Sequence, residues 1–325
     1  MAKKHAGPWL RNEDLCWYTT VGTKLIKLGN SDDSPEHIAR LYAAAHGGYT
    51  VAEMVRRFLA GIGAEVTSDT LRWYAGYLNR FAREHGAMPV ASLTASLLYS
   101  WIASNYGNLS PSAQHNAART VVRAINWSIA ERLLDRSPLV GFTKPAPSNR
   151  ETILTAPQYA LCLRLASPRL RTAIMFLWHT GCRPQELRAI EAGWIDGHKI
   201  VLPLAKGKGN RKRKRKRRVI YLNPTATRIA ARLAGENTRG PIFRNAHGNP
   251  WSKGGLVCSF RRLRNKTGIA GLCAYSFRHA FITRLLESGV DVATVAALAG
   301  NSPRMVLSVY SHVTENETRL LQCLG

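Results

Sequence analysis

The chain opens with short alternating runs. From Pro8 to Leu28, "PWLRN", "LCWYTTV" and "KLIKLG" are separated by Asn, Glu, Asp or Gly-Thr, and their period of two predicts a small three-stranded sheet with Lys and Arg exposed. A turn-rich linker, "GNSDDSPEH", leads to a short helix, "HIARLYAAAH", that ends at Gly47-Gly48. From Tyr49 to about Val140 the period becomes helical. Thr50 and Glu53 read as a capping box for "VAEMVRRFLAGI", and Ser68, Asp69 or Thr70 caps a second helix with Leu71, Tyr74, Leu78 and Phe81 on one face. A third helix runs through "ASLLYSWIASNYG". A fourth starts after Ser110-Pro111 and carries Val122, Ile125, Ile129 and Leu133 at helical spacing. The Pro-rich "DRSPLVGFTKPAPSN" that follows reads as an interdomain linker.

Beyond Glu151 the pattern is mixed. Helices are expected at "APQYALCLRLA", "LRTAIMFLWHTG" and "PQELRAIE", and a β-hairpin from "HKIVLPLA" to "RRVIYL". Further helices are expected from "SKGGLVCSFRRLRNKTG" to the end. The low-complexity run "KGKGNRKRKRKRR", residues 206 to 218, falls at the hairpin tip. The expected fold class is therefore mainly α with small β elements (α+β). The segments are 1–47, a helical module over 48–142, a linker over 143–150 and a mixed domain over 151–325.

Charge narrows the partner. With 46 Lys+Arg against 20 Asp+Glu, the chain carries a formal +26, which favours a polyanion because each neutralised phosphate releases condensed counterions. An anionic membrane surface fits less well, since the basic residues are spread over every segment and form no amphipathic stripe. The opening "MAKKHAGPWL" lacks a signal-peptide core and "TAIMFLWHTG" is too short to span a bilayer, so a cytoplasmic, nucleoid-associated protein is expected. The six cysteines form no CxxC pair and are expected to be reduced thiols. No Cys/His cluster has metal-ligand spacing, so neither metal nor cofactor is expected.

Three motifs carry possible chemistry. The run "RKRKRKRR" is by itself a solvated basic tract, but between two strands it becomes a prong able to track a DNA backbone through Lys206, Arg211, Lys212, Arg213 and Lys214. In "HTGCRPQELRAI", Arg183 lies between a Gly turn and a Pro favoured at the first helical position. Its guanidinium can fork onto a phosphate or pair with Glu186 one turn on. In "AYSFRHAFITRLLESG", Arg278 sits in an apolar helix, where it needs a carboxylate or a bound anion.

Arg183 in "TGCRPQEL", the hairpin "GKGN", "YSFRHAFIT", "LAGNS" and "YSH", in that order, resemble the motif series of the tyrosine recombinase (phage integrase) family. Arg278 precedes Asn301 by 23 residues and Asn301 precedes Tyr310 by nine, the usual family arrangement. The resemblance implies an arm-type DNA-binding sheet at the N-terminus, a core-binding helical domain and a catalytic domain, the last two closing around duplex DNA as a C-shaped clamp. It implies that Arg183 and Arg278 clamp the scissile phosphate and that Lys208, or its neighbour Lys206, protonates the departing 5′ oxygen. Tyr310 attacks phosphorus to leave a 3′-phosphotyrosyl ester, from which a second 5′ hydroxyl reseals the strand without ATP or metal. The implied partners are att-like duplex sites, three further copies in a tetramer that passes through a Holliday junction, and accessory DNA-bending proteins. The tail "ENETRLLQCLG" would dock on a neighbouring protomer.

Two positions depart from the family pattern. Tyr275 stands where the first residue of HxxR is usually His, and a phenol of ordinary pKa ~10 is a poorer proton shuttle. Asn301 stands where His or Trp is usual, retaining a donor without charge. Slower chemistry is the expectation, with Asn301→His raising the rate of a slowed enzyme. His279 and His312 are read as structural, and the aromatics of "CWYTT" as sheet core. The rival readings are a DNA-binding relative with a decayed site and a type IB topoisomerase or telomere resolvase. The arm-like sheet argues against the last two.

Overall fold

The structure, a computed structural model, describes residues 7–21, 23–45, 49–148, 152–203 and 217–314; of residues 36, 39, 40, 43, 44 and 310–314 it describes the backbone alone. The described chain divides into two compact units, one up to residue 148 and one from residue 152. No helix among the described residues is long and apolar enough to cross a membrane. The five described cysteines are free thiols.

The first unit begins with β1 (Trp9–Arg11), β2 (Cys16–Val21) and β3 (Lys24–Asn30), antiparallel in that order, with Arg11 opposite Cys16 and Tyr18 opposite Lys27. The register shifts between Trp17 and Tyr18, a bulge that takes up one residue. At the β1–β2 turn Asp14 accepts from Arg11 and from the Tyr18 hydroxyl at 2.6 Å, and the Arg11 guanidinium lies over the Tyr18 ring. α1 (Pro35–Ala45) covers the sheet, burying Leu28, Ile38 and Tyr42; of the two aromatics in "CWYTT", Trp17 packs partly buried against this cluster, whereas Tyr18 faces Asp14 and Arg11.

Four longer helices follow: α2 (Val51–Ile62), α3 (Ser68–His85), α4 (Ala95–Tyr106) and α5 (Pro111–Ala130). Their apolar faces meet around Met54, Phe58, Leu78, Phe81, Trp101 and Ile125. The Thr50 hydroxyl accepts from the Glu53 amide as the capping box requires, but the Glu53 carboxylate turns to Arg56 and Arg57, so only half of the box forms. The cap of α3 is Thr67, one residue before the predicted Ser68, Asp69 or Thr70, and its hydroxyl accepts from the Thr70 amide. On α5 the buried line is Ala117, Val121, Ala124, Ile125 and Ser128. Val122 and Ile129 flank that line, and the helix ends before Leu133. Small residues on this line let α5 pack closely against α2, α3 and α4.

The second unit contains α6 (Ala156–Leu165), α7 (Pro168–Thr180), α8 (Pro184–Ala189), a three-stranded antiparallel sheet and five further helices. The sheet is β4 (Ile195–Asp196), β5 (Lys199–Val201) and β6 (Val219–Tyr221), with Ile200 opposite Ile220 and both fully buried. The predicted hairpin strands are thus paired. Its tip, with Lys206, Lys208, Arg211, Lys212, Arg213 and Lys214, lies outside the described residues. α9 (Pro224–Glu236), capped by Asn223, has no counterpart in the sequence reading because its alanine-rich face carries only Ile229 and Leu233 as large apolar markers. α10 (Lys253–Thr267) and α11 (Ala274–Glu287) complete the main core with α7, around Phe176, Leu177, Phe260 and Phe277. α12 (Val292–Ala299) and α13 (Pro303–Thr314) close a smaller cluster with α11, formed by Ile282, Leu286, Val295 and Val306.

Candidate active site

Two tight helix ends and one buried helix build the site. α7 stops at Gly181, whose φ of 59° is left-handed and whose missing side chain matters, because a Cβ there would lie 2.2 Å from the Phe281 ring. The chain then passes through fully buried Cys182 to Arg183, which precedes Pro184 and is therefore held extended. Burial pushes the Cys182 thiol up to about 12, so it remains a protonated, packed group. Arg183 starts α8, and Glu186 one turn on binds it twice. One carboxylate oxygen accepts from the Arg183 backbone amide at 2.9 Å and the other from Nη1 at 2.8 Å.

Arg278 enters from the middle of α11. It is 5 % exposed, donates through Nη1 to the Gly181 carbonyl at 2.7 Å, and donates through Nη2 to Asn301 Oδ1 at 2.8 Å. Burial first and the nearby Arg183 second lower its pKa to about 10, still charged near neutrality.

Asn301 is supplied by the end of α12. Gly300 takes a left-handed φ of 70°, its amide bonds the Ala297 carbonyl, and the Asn301 amide bonds the Ala296 carbonyl at 2.9 Å, the paired bonds of a Schellman ending. That ending fixes the Asn301 side chain between the arginines. Its Oδ1 accepts from Arg278 and, at 3.1 Å, from Arg183 Nη2, which also donates to the Gly300 carbonyl at 2.5 Å. Both neighbours can only donate, so the oxygen, not the amide nitrogen, faces them.

Of the remaining candidates, Tyr275 stands apart from this cluster. Tyr275 is one turn before Arg278 on α11 and 46 % exposed, and among the described residues no hydrogen bond joins it to either arginine. Tyr310 lies on the backbone of α13, as does His312; their side chains lie outside the described residues, as do all six basic candidates of the hairpin tip.

The sequence reading missed Arg218. Counted there as the last residue of the basic prong, it instead turns inward beside β6. Its side chain is 17 % exposed, ion-paired to Glu186 at 3.5 Å and bonded to carbonyls at the end of α12. The signal was present: Arg218 has the same strand parity as buried Ile220, so it belongs to the inner face. Glu186, 7 % exposed, thus holds two guanidiniums and partly neutralises a cluster of three.

A cluster of two convergent guanidiniums, bridged by one amide and backed by one carboxylate, keeps net positive charge in a water-poor setting. Such a site can grip an oxyanion through several charged hydrogen bonds and stabilise further negative charge on it.

Comparison with known proteins bears on the fold and the family. The phage integrase family model matches residues 146–317. The tyrosine recombinase XerD of Staphylococcus haemolyticus is 29 % identical over 157 residues, covering 46 % of this chain and 52 % of that protein, so the chain spans about half the length of such curated relatives. The integrase of transposon Tn1549, solved with transposon right end DNA, superposes with a TM-score of 0.68 at 20 % identity, over 83 % of this chain and 98 % of that one. A lambda integrase, solved as a tetramer bound to a Holliday junction, gives 0.63 at 16 % identity over 93 % of each chain. At these identities the structural likeness is one of fold. The family model, which spans more than half of the sequence and the whole of the arginine site, carries the conclusion: the chain belongs to the phage integrase family.

Proposed function

We propose that the protein is a site-specific DNA recombinase that cuts and rejoins strands through a covalent phosphotyrosyl intermediate. The observation that carries the reading is the convergence of Arg183 and Arg278 on a single acceptor, Asn301 Oδ1. The buried Arg278 guanidinium and the part-buried Arg183 guanidinium repel each other, Glu186 offsets only part of that charge, and a phosphodiester supplies a further anion at the point where charge develops in phosphoryl transfer.

In this reading the two arginines hold the non-bridging oxygens of the scissile phosphate. With Oδ1 committed to the arginines, the Asn301 amide nitrogen is left as a neutral donor to the same phosphate. The Tyr310 hydroxyl gives its proton to water as its oxygen forms the new bond to phosphorus, the bond to the 5′ oxygen breaks, and Lys208, or Lys206, gives that oxygen its proton and is reprotonated from water. Resealing runs in reverse from a second 5′ hydroxyl, so each ester exchanged replaces another of similar energy. Tyr275, exposed one turn before Arg278, keeps a hydroxyl donor at the rim in place of a proton-shuttling imidazole.

The wider assembly follows from the same reading. The N-terminal sheet serves as an arm-type DNA module, residues 48–142 as the core-binding module and residues 151–325 as the catalytic domain. The hairpin residues Lys206, Arg211, Lys212, Arg213 and Lys214 track the DNA backbone. The working form is a tetramer on paired att-like duplexes, acting on DNA in the cytoplasm, with DNA-bending proteins as accessory partners. A retained arginine pair and carboxylate favour an active enzyme over a decayed binder.

A nicked suicide duplex bearing the recombination site tests the chemistry. A protein–DNA adduct that survives denaturing electrophoresis, and vanishes in Tyr310→Phe, is expected. Specific binding without any adduct would overturn the enzymatic reading.

A further inference from the structure

Arg218 is a charged side chain largely removed from water, and nothing in the chemistry above uses it. Burial pushes its pKa down, so its placement has a cost that its contacts must offset. Those contacts are numerous and directional. Nη1 donates to the carbonyls of Val219 at 2.7 Å and Leu298 at 3.0 Å, with Ala297 at 3.3 Å, and Nη2 donates to Ala299 at 3.0 Å. The carbonyls of Leu298 and Ala299 are among those that a helix end leaves without an intrahelical partner, and the guanidinium also meets the negative end of the helix dipole.

The fit is built from both sides. A Cβ on Gly300 would lie 2.6 Å from both Cζ and Nε of Arg218, so the glycine that makes the turn also makes room for the guanidinium. Glu186 closes the other side at 3.5 Å from Nε while binding Arg183 at 2.8 Å. Arg218 therefore touches the two groups that place the arginine clamp. One is the turn that presents Asn301, and the other is the carboxylate that orients Arg183.

We infer that Arg218 is a positioning residue: it ties β6, the outgoing strand of the basic hairpin, to the Gly300–Asn301 turn and to Glu186, and so sets the distance between Arg183 and Arg278. The inference rests on the reading of those arginines as a phosphate clamp. A planar fork is needed for the task, since a lysine ammonium cannot serve four carbonyls on one side and a carboxylate on the other.

Tungstate, a tetrahedral dianion, is the probe. Its affinity for the full-length chain is measured by calorimetric titration, with a thermal melt of each variant to confirm folding. Arg218→Lys, which keeps the charge, and Arg218→Met, which keeps the bulk, are each expected to weaken tungstate binding roughly tenfold, a magnitude ordinary for coupling through packed neighbours. Because Arg218 acts through the turn, Arg218→Lys combined with Asn301→Ala should bind no more weakly than the poorer single variant. A merely structural Arg218 would lower the melting temperature while the two losses multiplied, and that result, or unchanged affinity in a folded Arg218→Lys, overturns the inference. Arg278→Lys separates the underlying reading: unchanged tungstate affinity there refutes the clamp itself, whereas a weakened Arg278→Lys beside an unchanged Arg218→Lys refutes the role of Arg218 alone.

Discussion

Asn301 uses one oxygen to hold two guanidiniums that come from α8 and α11. That dual acceptance changes what histidine would do at this position. A neutral imidazole offers one acceptor nitrogen and an imidazolium none, so Asn301→His forfeits at least one charged hydrogen bond, worth about 1.5–3 kcal/mol. The rate of adduct formation should therefore fall about ten- to a hundredfold, the reverse of the gain expected from family resemblance alone, and single-turnover cleavage of a nicked duplex measures it. Asn301→Asp offers two acceptor oxygens and keeps the arginines together, but its charge competes with phosphate; weakened tungstate binding without loss of thermal stability is the expected signature. The positions of Arg183, Arg278 and Asn301 were legible in the sequence because each sits beside a local signal: Gly-Cys-Arg-Pro, an apolar helix and Ala-Gly-Asn. Their mutual contacts were not. A carbonyl accepting from a side chain more than a hundred residues away, as Gly300 does from Arg183, leaves no trace in spacing. Arg218 was hidden for a different reason, since a run of like residues masks the one member whose strand parity turns it inward.

The elements are held by their ends more than by their propensities. Gly300 shows it most sharply, with a left-handed φ and no space for a Cβ against Arg218. Gly300→Ala should cost about 1–2 kcal/mol for the backbone alone, more with the displaced guanidinium. A thermal melt should record a drop of several degrees, about 2–4 °C per kcal/mol for a unit of this size. At the other end of the chain, the β1–β2 turn depends on Asp14. Hydrogen bonds from Arg11 and then Tyr18 hold its carboxyl at about 2. A folded pKa below the unfolded value means that the stabilisation is present above the ordinary carboxylate range and is lost as pH falls through about 2. Titration of the Asp14 carboxyl by NMR should place its midpoint there in the native protein, and Tyr18→Phe should raise it. Strands and most helices were legible because their periods are clean. The α5 face was not, since alanines carry little hydrophobic signal although they fill the core. Nor was α9, for the same reason.

The whole molecule carries 26 more basic than acidic residues, and few of the described arginines are neutralised beyond local pairs such as Arg56 and Arg57 with Glu53. Binding to duplex DNA of arbitrary sequence should therefore collapse with salt. For a footprint of six to ten phosphates, affinity falls about 10³–10⁵-fold between 50 and 200 mM salt. Titration of a labelled duplex by fluorescence anisotropy at several salt concentrations gives the slope, and a flat response would contradict a phosphate-dominated interface. Family membership was legible from motif order, because five short motifs in register are more specific than any one of them. Which residue becomes joined to DNA is the claim on which the account turns, and it is open to direct reading. The full-length chain is trapped on a nicked suicide duplex, digested with trypsin and nuclease, and the peptide carrying the nucleotide remnant is sequenced by mass spectrometry. The account predicts a single phosphotyrosyl modification at Tyr310, absent in Tyr310→Phe and strongly reduced in Arg278→Lys. A remnant on any other residue, or undiminished modification without Arg278, would contradict it.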